Sequence, residues 1–312
     1  MSKVKLFFSG TTGGSDEMKQ RLARAFTHRL CSCHDAYVKE AKIWAELCKI
    51  DGAAIQEMML DSGAFTAWSK GKRVDLKHLI SVYKNIMSLI PKHVQVWLIN
   101  LDVIPGSPGV TAGPEEIAQA IKTSDENFKI LKEEFGDIVL PVFHQNESEE
   151  RMFEVAEMAD YICVSPRNDL PEWTRVNWSN YVHRKLPGKK CHGLAATGGT
   201  MLKQVPWYSV DSATWLYTAV MGRVNFNDNG RLTAIATSDQ SPDRHNAGMH
   251  ICNMPPGTAQ AIIDRAASYG LTLQQIVTDQ NARRLMSGLE FVSWHNSLPE
   301  PNHMFQDSLF EL

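Results

Sequence analysis

The chain has 312 residues, of which 43% are hydrophobic, 21% charged and 9% aromatic, with a formal net charge of −3. That profile excludes intrinsic disorder and provides for a sizeable core, and 20 Gly and 14 Pro without a period exclude a collagen-like or low-complexity chain. Six cysteines scattered at 31, 33, 48, 163, 191 and 252 are not a disulfide framework for a chain of this length. In chain order, residues 4–9 (VKLFFS) read as the first strand. The Gly-rich GGSDEM after it suits a phosphate at a helix N-terminus but lacks the rest of a nucleotide motif. Cys31, Cys33 and His34 form a C-x-C-H cluster with no second pair at zinc spacing, so reduced thiols are expected. Residues 35–50 place Tyr37, Ala41, Ala45 and Cys48 on one helical face. Residues 58–61 form a short second strand. Residues 75–89 open on an Asp cap and carry Leu79, Val82, Tyr83 and Ile86 at helical spacing. A third strand at 94–102 leads into a Gly/Pro-rich loop at 105–114. A helix at 114–135 begins with Pro and two Glu. Strands follow at 138–144, 161–165, 191–196, 207–211 and 232–237, with a short helix at 147–158 and a turn at 225–230. The tail from Pro255 reads as two or three helices on the outside.

Strand–helix alternation repeated about eight times predicts a parallel sheet, and eight units in about 240 residues fit a closed (β/α)8 barrel. The expected fold is therefore α/β, a TIM-type barrel with extra C-terminal helices. Residues 1–254 are read as the catalytic barrel and 255–312 as a helical extension packed on it. No apolar run reaches the ~18–20 residues that span a bilayer. The N-terminal apolar run is too short for a signal peptide and has no small-residue cleavage site after it. The expectation is a cytoplasmic protein without a membrane partner.

In such a barrel, catalytic residues come from the carboxyl ends of strands. At those ends the sequence places Asp61-Ser62-Gly63, Asn100-Leu101-Asp102, His144-Gln145, Ser165-Pro166-Arg167, His192-Gly193 and Asp211-Ser212. An Asp after a strand also serves as a helix N-cap, and Gly63 and Gly193 also serve as tight turns. Caps alone do not explain acidic ends facing one mouth. Two carboxylates there can divide the labour of glycosyl transfer, one attacking an anomeric carbon and one moving protons. A third can accept hydrogen bonds from a base edge that carries N–H donors.

The blocks LDSGAFTAWSKG, NLDVIPG, PVFHQNE, CHGLA and PWYSVDSATW carry a resemblance. LDSGAF at 60–65 is similar to the DSGGF-type motif of the tRNA-guanine (queuine) transglycosylase superfamily. SVDS at 209–212 sits where that family carries its nucleophilic aspartate. The whole set resembles most closely the phage branch, the DNA 7-deazaguanine transglycosylases, over about residues 4–224. The resemblance implies a pentosyltransferase on a (β/α)8 barrel. Asp211 would attack C1′ of the sugar and expel guanine, and Asp61 would be the general acid/base. Asp102 would accept from N1–H and the 2-amino group of the base. Gln145 and the backbone near Gly193 would meet the base carbonyl, and His144 would shape the pocket. Ser62, Gly63 and Phe65 belong to the same substrate-binding motif. The implied partners are DNA, with tRNA as the alternative, and a free 7-deazaguanine base of the preQ0 type, with room for a DNA-binding partner protein. A phage-encoded chain would act in the host cytoplasm.

Two departures bear on substrate. Gly-Gly in the tRNA enzymes' first motif is Gly63-Ala64 here. Their zinc motif does not follow Asp211, which leaves room for DNA. No cofactor is expected, and zinc has only the weak candidates His245, His250 and Cys252. A DNA substrate requires the target base to leave its stack, held by aromatic and basic residues at the rim. Trp68, Lys70, Lys72 and Arg73 follow the second strand, Arg167 the fifth, and Trp207 and Trp215 flank Asp211. Trp173, Arg175 and Trp178 stand nearby in sequence. The tryptophans suit core packing equally. Two further readings remain open: an Asp-dependent N-glycoside hydrolase, and a non-catalytic nucleic-acid-binding barrel.

Overall fold

Parallel strands alternating with helices make up most of the computed structural model, which describes residues 3–107, 110, 112–246 and 248–298. The strands are β1 (Lys5–Phe8), β2 (His28–Ser32), β3 (Glu57–Asp61), β4 (Gln95–Ile99), β5 (Val139–Leu140), β6 (Val142–His144), β7 (Tyr161–Ser165), β8 (Lys190–Gly193) and β9 (Ser209–Ser212). They pair in the order β5-β4-β3-β2-β1-β9-β8-β7-β6. The two ends of that series, β5 and β6, are separated in the chain only by Pro141. Proline has no N–H to give a ladder, so the stave breaks there. Its carbonyl still accepts from Cys163 N at 2.8 Å, while Leu140 O accepts from Asn100 N at 2.9 Å. The series therefore bends round into a ring of eight staves, an α/β TIM-type barrel.

Two strands depart from the expectation. His28–Ser32 was not expected, yet it forms β2 between β1 and β3, in register Phe8↔Arg29 and Ser32↔Asp61. The strand expected as the eighth stave is instead β11 (Arg231–Ala236), paired antiparallel with β10 (Arg223–Asp228) in a separate two-stranded sheet. Much of the expected turn at 225–230 is thus strand. The turn itself is Asn229 and Gly230, with φ of 49° and 88°, the two left-handed residues that a tight hairpin loop requires.

The helices are α1 (Asp16–Ala23), α2 (Val38–Leu47), α3 (Ala64–Trp68), α4 (Leu76–Leu89), α5 (Pro114–Phe135), α6 (Glu149–Met158), α7 (Glu172–Lys185), α8 (Gly199–Gln204), α9 (Thr214–Val220), α10 (Pro256–Ser268), α11 (Leu273–Thr278) and α12 (Gln280–Ser297). The expected helices correspond to α2, α4, α5 and α6. Asp75 caps α4 by accepting from His78 N at 2.7 Å, as its position in the sequence suggests. Among its described residues the tail contains three helices, and α12 packs on β10, α9 and α1. The hairpin thus packs with the C-terminal helices although it precedes residue 255. Buried Glu290 on α12 ties them together, accepting from Asn227 N at 2.6 Å, Tyr269 Oη at 2.6 Å and Arg265 Nη1 at 3.0 Å. Among the described residues, no helix is long and apolar enough to cross a membrane.

Alternation along each strand separates two cores. Phe7, Leu30, Met59, Ile99, Leu140, Val142, Tyr161 and Cys163 fill the barrel interior. Phe8, Phe26, Trp44 and Trp215 belong to the larger core outside the ring. The N-terminal end of the interior is closed by polar groups. Glu57 accepts from Lys5 and from Trp97 Nε1 at 2.9 Å, and Lys5 reaches Tyr208 Oη at 2.7 Å. Burial alone would raise the Glu57 carboxyl, but hydrogen bonds from His28, Lys5 and Trp97 hold it down at about 2. The same period of two puts Asp61, two residues beyond Met59, at the opposite, carboxyl end of the interior. It puts His144 beyond Val142 in the same way.

Candidate active site

Three carboxylates share the C-terminal mouth. Asp61 ends β3, and its Oδ2 accepts from Gly63 N at 3.1 Å. Burial pushes its carboxyl up to about 7, and the charges of Asp102 and Asp211 add to that push. Cys163, fully buried below, is raised by burial and then by the charges of all three aspartates. The three carboxylates therefore lie within electrostatic reach of one another over the apolar interior, as expected from the sequence.

Asp102 follows β4, and its Oδ2 lies 2.9 Å from His144 Nε2 at the end of β6. Their side chains are 12% and 16% exposed, enough to reach a ligand and too little for water to screen the pair fully. Burial would lower His144, but the Asp102 hydrogen bond and charge, with Glu147, outweigh it, and the imidazole is raised above its ordinary value. Glu147 also fixes the backbone there, accepting from His144 N at 2.9 Å. His144 thus donates to one oxygen of Asp102, a tighter role than shaping a pocket.

Asp211 lies on β9 beside Phe7 of β1. Its Oδ1 accepts from Ala195 N at 2.8 Å, and His192 Nε2 stands 3.6 Å from the same oxygen. Ala195 adopts a left-handed backbone with φ 49°, which costs a non-glycine residue about 1–2 kcal/mol. Arg175 helps to hold it, donating from Nη2 to Ala195 O at 3.1 Å and to Asn168 Oδ1 at 2.9 Å. The strained residue thus aims its N–H at the carboxylate. The role of Ala195 was not expected from the sequence, because only the backbone acts. His192 was read as a polar strand-end residue and given no role.

The glycines serve the backbone. Gly63 has φ +79°, and a Cβ there would fall 2.6 Å from His34 Cβ and 2.9 Å from the His34 backbone. Gly63→Ala is expected to cost about 2–4 kcal/mol from left-handed strain and overpacking. Urea denaturation would register that as a lower midpoint, and an unchanged midpoint would mean the loop yields freely. A Cβ on Gly193 would fall 2.9 Å from the Trp207 ring, so this glycine lets strand and indole pack closely. Ser62 is fully buried, with Ala64 N 3.4 Å from its Oγ, and supports the turn from inside.

The rim residues divide. Phe65 is 62% exposed. Trp68 is half-buried and donates to Gly106 O at 3.0 Å, and Lys70, Lys72 and Arg73 are exposed. Trp68, Lys72 and Arg73 line a groove of about 910 Å³ that also includes Asp102, with Glu115 and Glu116 among its other lining residues. Gln145 accepts from Arg167 N at 2.9 Å, so its carbonyl oxygen is occupied in holding the β7 loop. The Arg167 guanidinium is paired with Asp169. Trp207 and Trp215 correct the expectation of stacking platforms. Trp207 is 3% exposed and packs edge-on against His183, and Trp215 is fully buried against Phe8 and Phe26. Neither presents a face to a nucleic acid. Exposed aromatic faces occur instead at Trp173 and Tyr217.

The weak zinc candidates do not form a centre. His250 is buried, with Nε2 3.2 Å from Ser238 O and Nδ1 accepting from Cys252 N, whereas His245 and Cys252 are exposed. Among the described residues, no three His, Cys, Asp or Glu side chains gather in a metal-binding group.

No protein-family model matches the chain, and no curated protein matches it significantly. Among solved structures, the carboxyl transferase domain of Rhizobium etli pyruvate carboxylase is similar at 12% identity with a TM-score of 0.34. A variant of that domain with pyruvate gives the same values. Each alignment covers 96% of this chain and 50% of the other, so this chain spans half the length of those it matches.

Proposed function

We propose that the protein is a base-exchange glycosyltransferase that replaces guanine in DNA by a 7-deazaguanine of the preQ0 type. The observation that carries this reading is the set Asp61, Asp102 and Asp211 at one barrel mouth, each with different surroundings. Carboxylates whose environments differ can take different roles. Asp211, with Oδ1 held by Ala195, attacks C1′ through Oδ2. The C1′–N9 bond breaks, its electron pair leaves with guanine, and the proton comes from Asp61. Asp61 then takes a proton from the incoming base, whose nitrogen attacks C1′ and releases the Asp211 carboxylate. Two inversions restore the anomeric configuration. Asp61 near 7 suits both directions of proton transfer at neutral pH.

Asp102 reads the base. With one oxygen engaged by His144, the other is left to accept from N1–H and the 2-amino group. Asp102→Asn places a donor where an acceptor is needed. Guanine exchange is expected to fall about 100-fold or more, with DNA binding nearly unchanged. Equal loss of binding, measured by fluorescence anisotropy, would count against Asp102 as the base reader. Phe65, Trp68, Lys72 and Arg73 provide the stacking faces and cations that hold the displaced strand. The preference for DNA over tRNA rests on the phage-branch resemblance of the motif blocks.

The test is incorporation of labelled guanine or preQ0 into duplex DNA and tRNA side by side. Label in DNA alone is expected. Label in tRNA alone would keep the chemistry and change the substrate. Release of free guanine without incorporation would make the protein a hydrolase, and none of these activities would leave a binding barrel or a requirement for a partner protein.

A further inference from the structure

Beneath Asp211 runs a chain of buried polar groups that the proposed chemistry does not use. Tyr161 Oη on β7 hydrogen-bonds Ser209 Oγ on β9, and Ser209 Oγ lies 2.6 Å from His192 Nδ1 on β8. His192 and Ser209 are fully buried. The other ring nitrogen, His192 Nε2, is buried and finds no hydrogen-bond partner among the described residues, yet it stands 3.6 Å from Asp211 Oδ1. Phe7 meets the imidazole edge-on, with centroids 5.6 Å apart, and so restrains its rotation. An unpartnered buried nitrogen is costly, and a carboxylate shift of about half an ångström would make the missing bond.

We propose that Tyr161, Ser209 and His192 form a one-way donor relay that positions the nucleophilic carboxylate of Asp211, with His192 as the positioning residue. This rests on Asp211 being the nucleophile. The direction follows from the inner end. Among the described residues Ser209 Oγ is the one hydrogen-bond partner of the buried Tyr161 Oη, so the phenolic proton is donated there. The Ser209 proton then turns to His192 Nδ1, which accepts. The ring proton therefore sits on Nε2, facing Asp211 Oδ1. The reverse tautomer would set a nitrogen lone pair against a carboxylate oxygen. With Ala195 N–H and His192 Nε2–H both on Oδ1, the carboxylate cannot rotate, and Oδ2 faces the sugar. The same two donors receive the negative charge when the glycosyl–Asp bond breaks in the second displacement.

Two readouts test this. Nitrogen NMR of histidine-labelled protein reports the tautomer without any substrate. His192 is expected to carry its proton on Nε2, and Asp211→Asn is expected to shift that resonance. A proton on Nδ1 with a bare Nε2 overturns the relay whatever the enzyme catalyses. Kinetically, His192→Leu is expected to slow covalent adduct formation about 30–100-fold with KM changed less than about twofold. His192→Gln, which keeps an N–H near the Nε2 position, is expected to recover most of that loss. Equal rates for the Leu and Gln variants at equal thermal stability would reduce His192 to packing. Should His192→Leu fail to fold, the Gln variant compared with wild type and the NMR arm decide. A wild-type protein without exchange, but with the proton on Nε2, would defeat the base-exchange reading and leave the relay standing.

Discussion

Asp211→Ala is expected to abolish any denaturation-resistant protein–DNA adduct and to lower base exchange on the order of 10⁴-fold or more. The reacting atom disappears, and no neighbouring group can take over its geometry. Asp61 is held to its own turn by Gly63 N, and Asp102 is tied to His144. The fold is expected to survive with a cost of about 1–3 kcal/mol, because Ala195 N–H loses its acceptor. Asp211→Asn keeps that acceptor and is the cleaner variant, equally dead and closer to wild-type stability. Denaturing gels of protein incubated with labelled DNA check the adduct. An adduct that persists in both variants would move the nucleophile elsewhere.

Splitting the reaction at the adduct is expected to produce opposite pH limbs that cross near pH 7. In the proposed reaction guanine departure needs Asp61 protonated, so adduct formation is expected to fall as pH rises through about 7. Attack by the incoming base needs the carboxylate, so adduct resolution falls as pH drops through the same value. Quench-flow measurements of the two half-reactions between pH 5 and 9 test this, and parallel limbs would remove Asp61 from proton transfer. Stability must follow the same titration. The folded carboxyl near 7 lies about three units above its unfolded value of about 3.9. The folded state therefore binds the extra proton, and stability is lost as pH rises from about 4 to about 7, by up to about 4 kcal/mol. Asp61→Asn, which can still accept from Gly63 N, is expected to gain on wild type by that order above pH 7 and not at pH 4. Equal pH dependence in the two proteins would place the strain elsewhere.

The barrel and its acidic mouth were legible because both rest on short-range pattern. Apolar runs such as YICVS and VWLI mark buried staves, and the residues just past them line the mouth. The strand HRLCS was hidden by composition. Arg29, within that strand, is a buried cation donating to Phe8 O and Gly10 O, and no apolar run announces the strand. The neighbouring C-x-C-H letters suggested ligands, whereas Cys31 and Cys33 are buried packing thiols. The strand at 231–236 was visible as a strand, but its partner was not. Asn229-Gly230 is the hairpin signal that would have paired it with 223–228. Trp207 and Trp215 show the limit at the site. Proximity to Asp211 in sequence suggested a place at the mouth, yet Trp207 lies in the segment before β9 and Trp215 on α9, and both indoles are buried in the outer core. The Tyr161–Ser209–His192 chain joins three different strands, and no local pattern announces that.

The pairing of β1 with β9 has a consequence for how the protein is made. Phe7 finds its second neighbour, Asp211, only across roughly 200 residues of chain, among the most non-local contacts of the ring. His295, further on still, donates to Val4 O. A ribosome-bound chain that has not yet released residue 209 leaves β1 and β8 as open edges, able to pair with a neighbouring nascent chain. Because the proposed nucleophile Asp211 lies on the stave that closes those edges, the proposed chemistry cannot begin before the most aggregation-prone stage is over. Slow synthesis before the ninth strand should therefore lower the yield of folded protein more than the same pause after it.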